Sequence, residues 1–146
     1  MSSNQDSPNL SAPISSLEDR LLDCVGSEDY VAVIRALVAT RDPAAIRVLA
    51  SLLDSVGPIA KEAIAGLLTF GDAVIPAMRE CADSLDYDMI RHGHEVLAEL
   101  GDEASKQWLK DDLAERIAAY RERLGFPSVL LDIFVANETD EPTEVA

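Results

Sequence analysis

A chain of 146 residues with 48% hydrophobic side chains has the size of one ordinary domain and enough apolar mass for a core, which excludes a wholly disordered polymer. Against 12 bases stand 27 acids, and the net charge of −15 repels phosphate backbones and anionic lipid heads, so neither nucleic acid nor a membrane is an expected partner. Aromatic residues make up only 5%, which leaves Ala, Leu, Ile and Val to build the core, a helix-forming alphabet.

Residues 1–14 are rich in Ser, Asn and Pro and read as a disordered arm. Their start, MSSNQDSPNLSAP, lacks the basic beginning and apolar centre of a signal peptide. No apolar run anywhere reaches the roughly 18 residues of a spanning helix. A cytoplasmic location is the expectation. A helical domain is predicted over 15–125. Ser15-Ser16-Leu17-Glu18 has the spacing of a capping box ahead of a helix over 17–25, and a second helix is predicted over 28–40. Asp42-Pro43 opens a third over 43–55: the Asp caps, and the missing Pro amide costs nothing in a first turn. Gly57-Pro58 opens a fourth over 58–70. Asp72 and Asp102 place an anion at the starts of helices over 73–85 and 103–124, with a sixth over 87–100 between them. Gly125 and Pro127 end the last helix. The apolar segment 126–136 follows, where SVLLDIFV is the one stretch that could pass for a strand, and then an acidic tail over 137–146. Asp6 and the tail acids Glu138, Asp140, Glu141 and Glu144 supply a third of the net charge, so most of the acidity belongs to the body.

Asp42, Asp72 and Asp102 stand 30 residues apart, and the helices before them superpose on the same offset. Leu37, Leu67 and Leu97 form one column, Val38, Leu68 and Ala98 another, and Ile34, Ile64 and His94 a third. A fixed period of this length marks a stacked helical repeat, in which each unit buries its apolar face only against its neighbours. The blocks IAKEAIAGLLTFGDAVIPAM and MIRHGHEVLAELGD place a base (Lys61, Arg91), a small residue (Ala63, Gly93), a Leu (Leu67, Leu97) and Gly-Asp in one register. Over roughly residues 17–105 this resembles HEAT repeats, and the short spacing is similar to the subgroup named after the phycobilisome lyases. The resemblance implies an all-α fold, a short α-solenoid of three to four antiparallel helix pairs with a longer C-terminal capping helix. It also implies a non-catalytic protein-binding scaffold or accessory factor whose second helices line a concave face. The alternative it carries is a lyase-like or chaperone-like factor that delivers a bilin-type cofactor to an apoprotein. The pattern departs at Val31, which stands where Lys61 and Arg91 do, and at Arg41, which replaces the Gly before Asp42.

On that concave face the resemblance would expose the columns Val31/Lys61/Arg91, Ala32/Glu62/His92 and Arg35/Ala65/Glu95. Arg35, Lys61 and Arg91 could hold a carboxylate or acidic peptide, or pair with neighbouring acids as an internal ladder. His92 and His94, two apart on a helix, project about 200° from each other and cannot grip one ion together. His94, in the column of Ile34 and Ile64, reads as a hydrogen-bonded imidazole in the helix interface, or as a pH-sensitive one. Asp88, His92, Glu95 and Glu99 run at steps of four, three and four along one face, which fits a solvated charged stripe or a divalent ion; no metal and no resident cofactor are expected. Cys24 and Cys81 lack any motif spacing and read as reduced core thiols. No nucleotide-binding, metalloprotease or nucleophile-elbow motif occurs, and the adjacent carboxylates sit where capping and solubility explain them. Gly66 and Gly93 cost roughly 1 kcal/mol each inside a helix relative to Ala, which predicts close helix approach there. Trp108 belongs to an apolar face of the last helix with Leu109, Leu113, Ile117, Tyr120 and Leu124, where it serves a terminal cap or an interface. The segment bearing Phe126, Leu130 and Phe134 either folds back or hooks another chain, and a basic surface suits the partner of so acidic a protein.

Overall fold

The computed structural model describes residues 13–125, which hold seven α-helices and no strand. These are α1 (Ile14–Leu21), α2 (Ser27–Ala39), α3 (Ala44–Ser51), α4 (Gly57–Leu68), α5 (Ile75–Ala82), α6 (Tyr87–Glu99) and α7 (Glu103–Leu124). The chain divides into two compact units, Met1–Lys106 and Gln107–Ala146. None of the described helices is long and apolar enough to cross a membrane. The apolar segment 126–136, the acidic tail 137–146 and residues 1–12 of the N-terminal arm lie outside the described residues.

The predicted capping box at Ser15 does not form. Pro13, in extended backbone, is the N-cap, and its carbonyl accepts from the amides of Ser16 and Leu17. Ile14 packs against the core, so the helix starts there and both serines fall inside its first turn. The third and fifth helices are each part 3-10. Leu52–Asp54 tightens the end of α3 and seals Leu53 in the core, and Gly71–Val74 leads into α5 and seals Val74. Asp42 and Asp102 cap as expected: Asp42 Oδ1 accepts from the Ala44 amide at 2.9 Å and Asp102 Oδ2 from the Ser105 amide at 2.9 Å. Asp86 caps α6 in the same way through the Met89 amide at 2.9 Å, a start signal that sequence reading passed over.

The 30-residue spacing has a backbone counterpart. Arg41, Gly71 and Gly101 all take left-handed conformations, with φ of 56°, 65° and 101°, where the chain leaves α2, α4 and α6. Two of the three are glycines because an L side chain is strained there by about 1–2 kcal/mol. Arg41 carries that strain and gains contacts with the end of α4. Its guanidinium donates to Thr69 Oγ1 at 3.1 Å and to the Thr69 carbonyl at 3.0 Å, and stacks 4.7 Å from the Phe70 ring centre.

Within the first unit, α2 packs on α4, α4 on α6 and α3 on α5, in addition to contacts between consecutive helices. The column Leu37, Leu67 and Leu97 is fully buried, with Ile34, Leu49, Leu53, Met78 and Val96 around it. Helices as short as α3 and α5 are marginal alone in water, so this shared core holds them. A Cβ at Gly66 would lie 2.6 Å from Val38 Cγ2, and one at Gly93 3.0 Å from both Cys81 Cβ and the Met78 carbonyl oxygen. Both helix glycines therefore mark close approaches, α4 to α2 and α6 to α5.

Two expectations test this packing. Gly93→Ala gains helix propensity of about 1 kcal/mol but overpacks rigid backbone, at a cost of about 1–3 kcal/mol, so its urea midpoint falls below wild type; a higher midpoint would show that the helices are not so close. Arg41→Ala and Arg41→Gly lose the same contacts, but only Gly relieves the backbone, so the Gly variant is the more stable of the two by about 1 kcal/mol. Equal stabilities would remove the argument for a left-handed stop.

Candidate functional site

The charged face of α2, α4 and α6 is largely self-paired. Arg35 forks onto Glu62 across the two helices, Nε to Oε2 at 3.0 Å and Nη2 to Oε1 at 3.4 Å, and the carboxylate raises the guanidinium pKa above its ordinary value. Arg91 is half-buried between Glu95, 2.7 Å away, and Asp88 at 4.0 Å. Lys61 is exposed, and no ion pair forms on it among the described residues. Exposed pairs such as Arg35 with Glu62 contribute little stability, but they occupy the groups that would otherwise bind an anion.

His92 does not belong to that exposed face. It is 4% exposed, and its Nδ1–H donates to the Leu53 carbonyl at 2.7 Å, an oxygen that only accepts. That fixes Nε2 as the acceptor facing Arg91 Nη2 at 3.4 Å. The imidazole thus satisfies a carbonyl at the end of the 3-10 turn after α3, and the stripe with Asp88, Glu95 and Glu99 loses its one nitrogen to the interior. Among the described residues no three His, Cys, Asp or Glu side chains stand close enough to share a metal ion.

His94 is the half-buried, hydrogen-bonded imidazole the column suggests. Its Nδ1 lies 2.9 Å from Ser105 Oγ in the first turn of α7. The Ser105 amide donates to Asp102 Oδ2 at 2.9 Å, and its hydroxyl lies between that carboxylate and the imidazole. Asp102 also pairs with Arg79 of α5 at 3.5 Å. Hydrogen bonds from the Ser105 hydroxyl and amide, with Arg79 adding its charge, hold the Asp102 carboxyl below the usual range. Burial lowers the His94 pKa, against the pull of Asp102 and Asp83. Carboxylate, hydroxyl and imidazole are all present, yet the hydroxyl stands between the other two and is 1% exposed. In a hydrolytic triad the imidazole must stand between, free to take the nucleophile's proton. This arrangement locks a helix start onto α6. Sequence reading missed Ser105, although Asp-x-x-Ser at a helix start was a legible cap signal.

An open groove of about 570 Å³ lies between α3 and α5, walled by Ile46, Ala50, Pro76, Ala77 and Cys81, with Met89 of α6 also lining it and the exposed Arg47 and Glu80 beside it. None of the residues of the three predicted concave-face columns lines it. Both cysteines are free; Cys81 is buried in the groove wall and Cys24 is half-buried, with its thiol 3.5 Å from the Arg20 carbonyl. Burial raises both thiol pKa values, helped by nearby Asp29 for Cys24 and Glu80 for Cys81, which keeps them protonated and poorly nucleophilic.

Arg35 and Lys61 are exposed, Arg91 and Glu95 are half-buried and His92 is buried; among the described residues the one ion pair that joins two of the helices α2, α4 and α6 is Arg35 with Glu62. Trp108 is half-buried in the second unit, where Ile117 is buried and Tyr120 and Leu124 are exposed. Phe126, Leu130 and Phe134 lie outside the described residues. Comparisons of the chain with models of known protein families, with curated proteins and with solved structures give no match.

The polar lock has a pH signature. A histidine whose folded pKa is lowered contributes stability that is complete above its unfolded pKa of about 6.5 and declines as pH falls below it, because the unfolded chain binds the proton first. The stability gap between wild type and His94→Gln therefore narrows from about pH 7.5 to about pH 5.5 in paired thermal melts. A gap that widens on acidification would overturn the assignment.

Proposed function

We propose that the chain is a non-catalytic helical-repeat protein of the HEAT kind, three to four helix pairs stacked as a short solenoid, that works by binding another protein as an interaction module or accessory factor. The repeat part of this reading is supported by the side-by-side packing of α2, α4 and α6 and by the left-handed stops at residues 41, 71 and 101. One observation carries the functional part. Among the described residues every buried side-chain N or O atom has a hydrogen-bond partner, whereas five large apolar side chains of the first unit stand exposed. Such a surface is completed by contact with another macromolecule, which removes those groups from water.

The charge of −15 favours a partner with a basic surface, by long-range attraction that salt screens. The test is purification of the tagged full chain from its native cells at low salt, read by mass spectrometry and by the absorbance spectrum of the eluate. One stoichiometric protein, released as salt is raised, is the expected outcome. A pigmented eluate without such a protein would replace this reading with cofactor delivery to an apoprotein.

A further inference from the structure

The five exposed apolar residues are not scattered. Leu22 (84% exposed) and Val25 (90%) lie between α1 and α2, Val56 (60%) between α3 and α4, and Leu85 (102%) between α5 and α6, with Tyr87 the first residue of α6. No other large apolar side chain of the first unit is exposed to this degree among the described residues. These three connections lie at one edge. Helices α3 and α5 run side by side in one direction, since the groove between them extends from Pro43 and Ala73 near their starts to Ser51 and Cys81 near their ends. Helices α2 and α4 do likewise, with Pro58 against Ser27 and Glu28 at their starts and Arg41 on Thr69 at their ends. The start of α6 joins the same edge, because α6 packs on the 3-10 turn Leu52–Asp54 at the end of α3 and Met89 lines the groove with Ala50 and Ser51.

The charge at this edge is predominantly negative, with Arg20 lining the same hollow as Asp23 and Asp29. The stretches 21–31, 51–60 and 80–90 hold eight acids, Asp23, Glu28, Asp29, Asp54, Glu80, Asp83, Asp86 and Asp88, and no Lys or Arg. Only Asp88 is in an ion pair among the described residues, at 4.0 Å from Arg91. At the opposite ends of the helices the acids stand among Arg41 and Lys106, and Arg79, from the last turn of α5, reaches Asp102 there. An apolar row flanked by acids repels a second copy of itself, since self-association would bring like charges together. It complements a segment that presents apolar side chains beside Lys or Arg.

We propose that this edge is the docking surface of the protein and that it takes a basic amphipathic segment of a partner protein, with Val25, Val56 and Leu85 as the apolar contacts and the surrounding acids as its electrostatic frame. The proposal rests on the interaction-module reading and moves the binding surface away from the second-helix face. Each apolar contact is spaced by one unit of the repeat, so an extended or helical segment laid across the units meets all three.

The probe is a fluorescein-labelled synthetic peptide with Leu and Lys at helical spacing, titrated with the full chain and followed by fluorescence anisotropy. A peptide with Glu in place of Lys and one with Ser in place of Leu serve as controls. The Leu/Lys peptide binds wild type, and both controls bind at least about tenfold more weakly, because each lacks one half of the complementarity. The triple variant Val25→Ser, Val56→Ser, Leu85→Ser, with an unchanged melting profile because the sites are exposed, weakens binding by about tenfold or more. The variant Glu28→Gln, Asp54→Asn, Asp83→Asn weakens it and flattens its salt dependence. Lys61→Ala on the second-helix face and Ala77→Ser in the groove leave it unchanged. Equal affinity of the triple variant and wild type overturns the proposal, as does a wild-type dimer that the triple variant dissolves in sedimentation. If the triple variant still captures the stoichiometric partner from native cells, this surface fails while the interaction reading stands; absence of any such partner sinks the interaction reading itself.

Discussion

Close approach of helix backbones at Gly66 and Gly93 is the constraint on which the first unit depends. With no Cβ at these points, α4 settles onto Val38 of α2 and α6 onto the Cys81 and Met78 backbone of α5. Those distances let the aligned leucines at 37, 67 and 97 share one dry interior. Eight-residue helices such as α3 and α5 have little stability of their own, so their persistence is a property of this packing and not of their propensity.

Polar groups were fitted to the same packing. Helices distant in sequence are tied by Arg35 to Glu62, Arg47 to Glu18 and Arg41 to Thr69, pairs 27, 29 and 28 residues apart. His92 and His94 sit two residues apart on α6 and point to different neighbours, one to the Leu53 carbonyl and the other to Ser105. His92 supplies a hydrogen bond to a buried backbone carbonyl, and His94 adds one to a buried hydroxyl that also faces Asp102. Residues that look chemical in the sequence therefore work as joints.

What the packing does not consume collects at the turns that join α1 to α2, α3 to α4 and α5 to α6. There the chain keeps Val25, Val56 and Leu85 in water among acids, of which Asp88 alone is in an ion pair, while Arg35 and Arg91 on the helix faces are paired with Glu62 and Glu95. A surface that combines apolar exposure with a predominance of one charge discriminates between partners by composition.

The sequence by itself determined the helical class, the number of helices in the described region and the 30-residue register. Those follow from local rules: apolar spacing, Asp before a helix start, Gly after a helix end. It marked Gly66 and Gly93 as contact points and the His94 column as an interface. It misplaced the first helix by three residues, because the pull of Ile14 into the core outweighs a local capping box. It also set His92 on an exposed stripe, since the rotation of α6 about its axis is decided by Leu53 and Gly93 contacts from other helices. The same limit hid the exposed edge. Val25, Val56 and Leu85 are unremarkable in separate loops, and only parallel packing of the helices they join brings them to one side, a long-range outcome that no local pattern encodes.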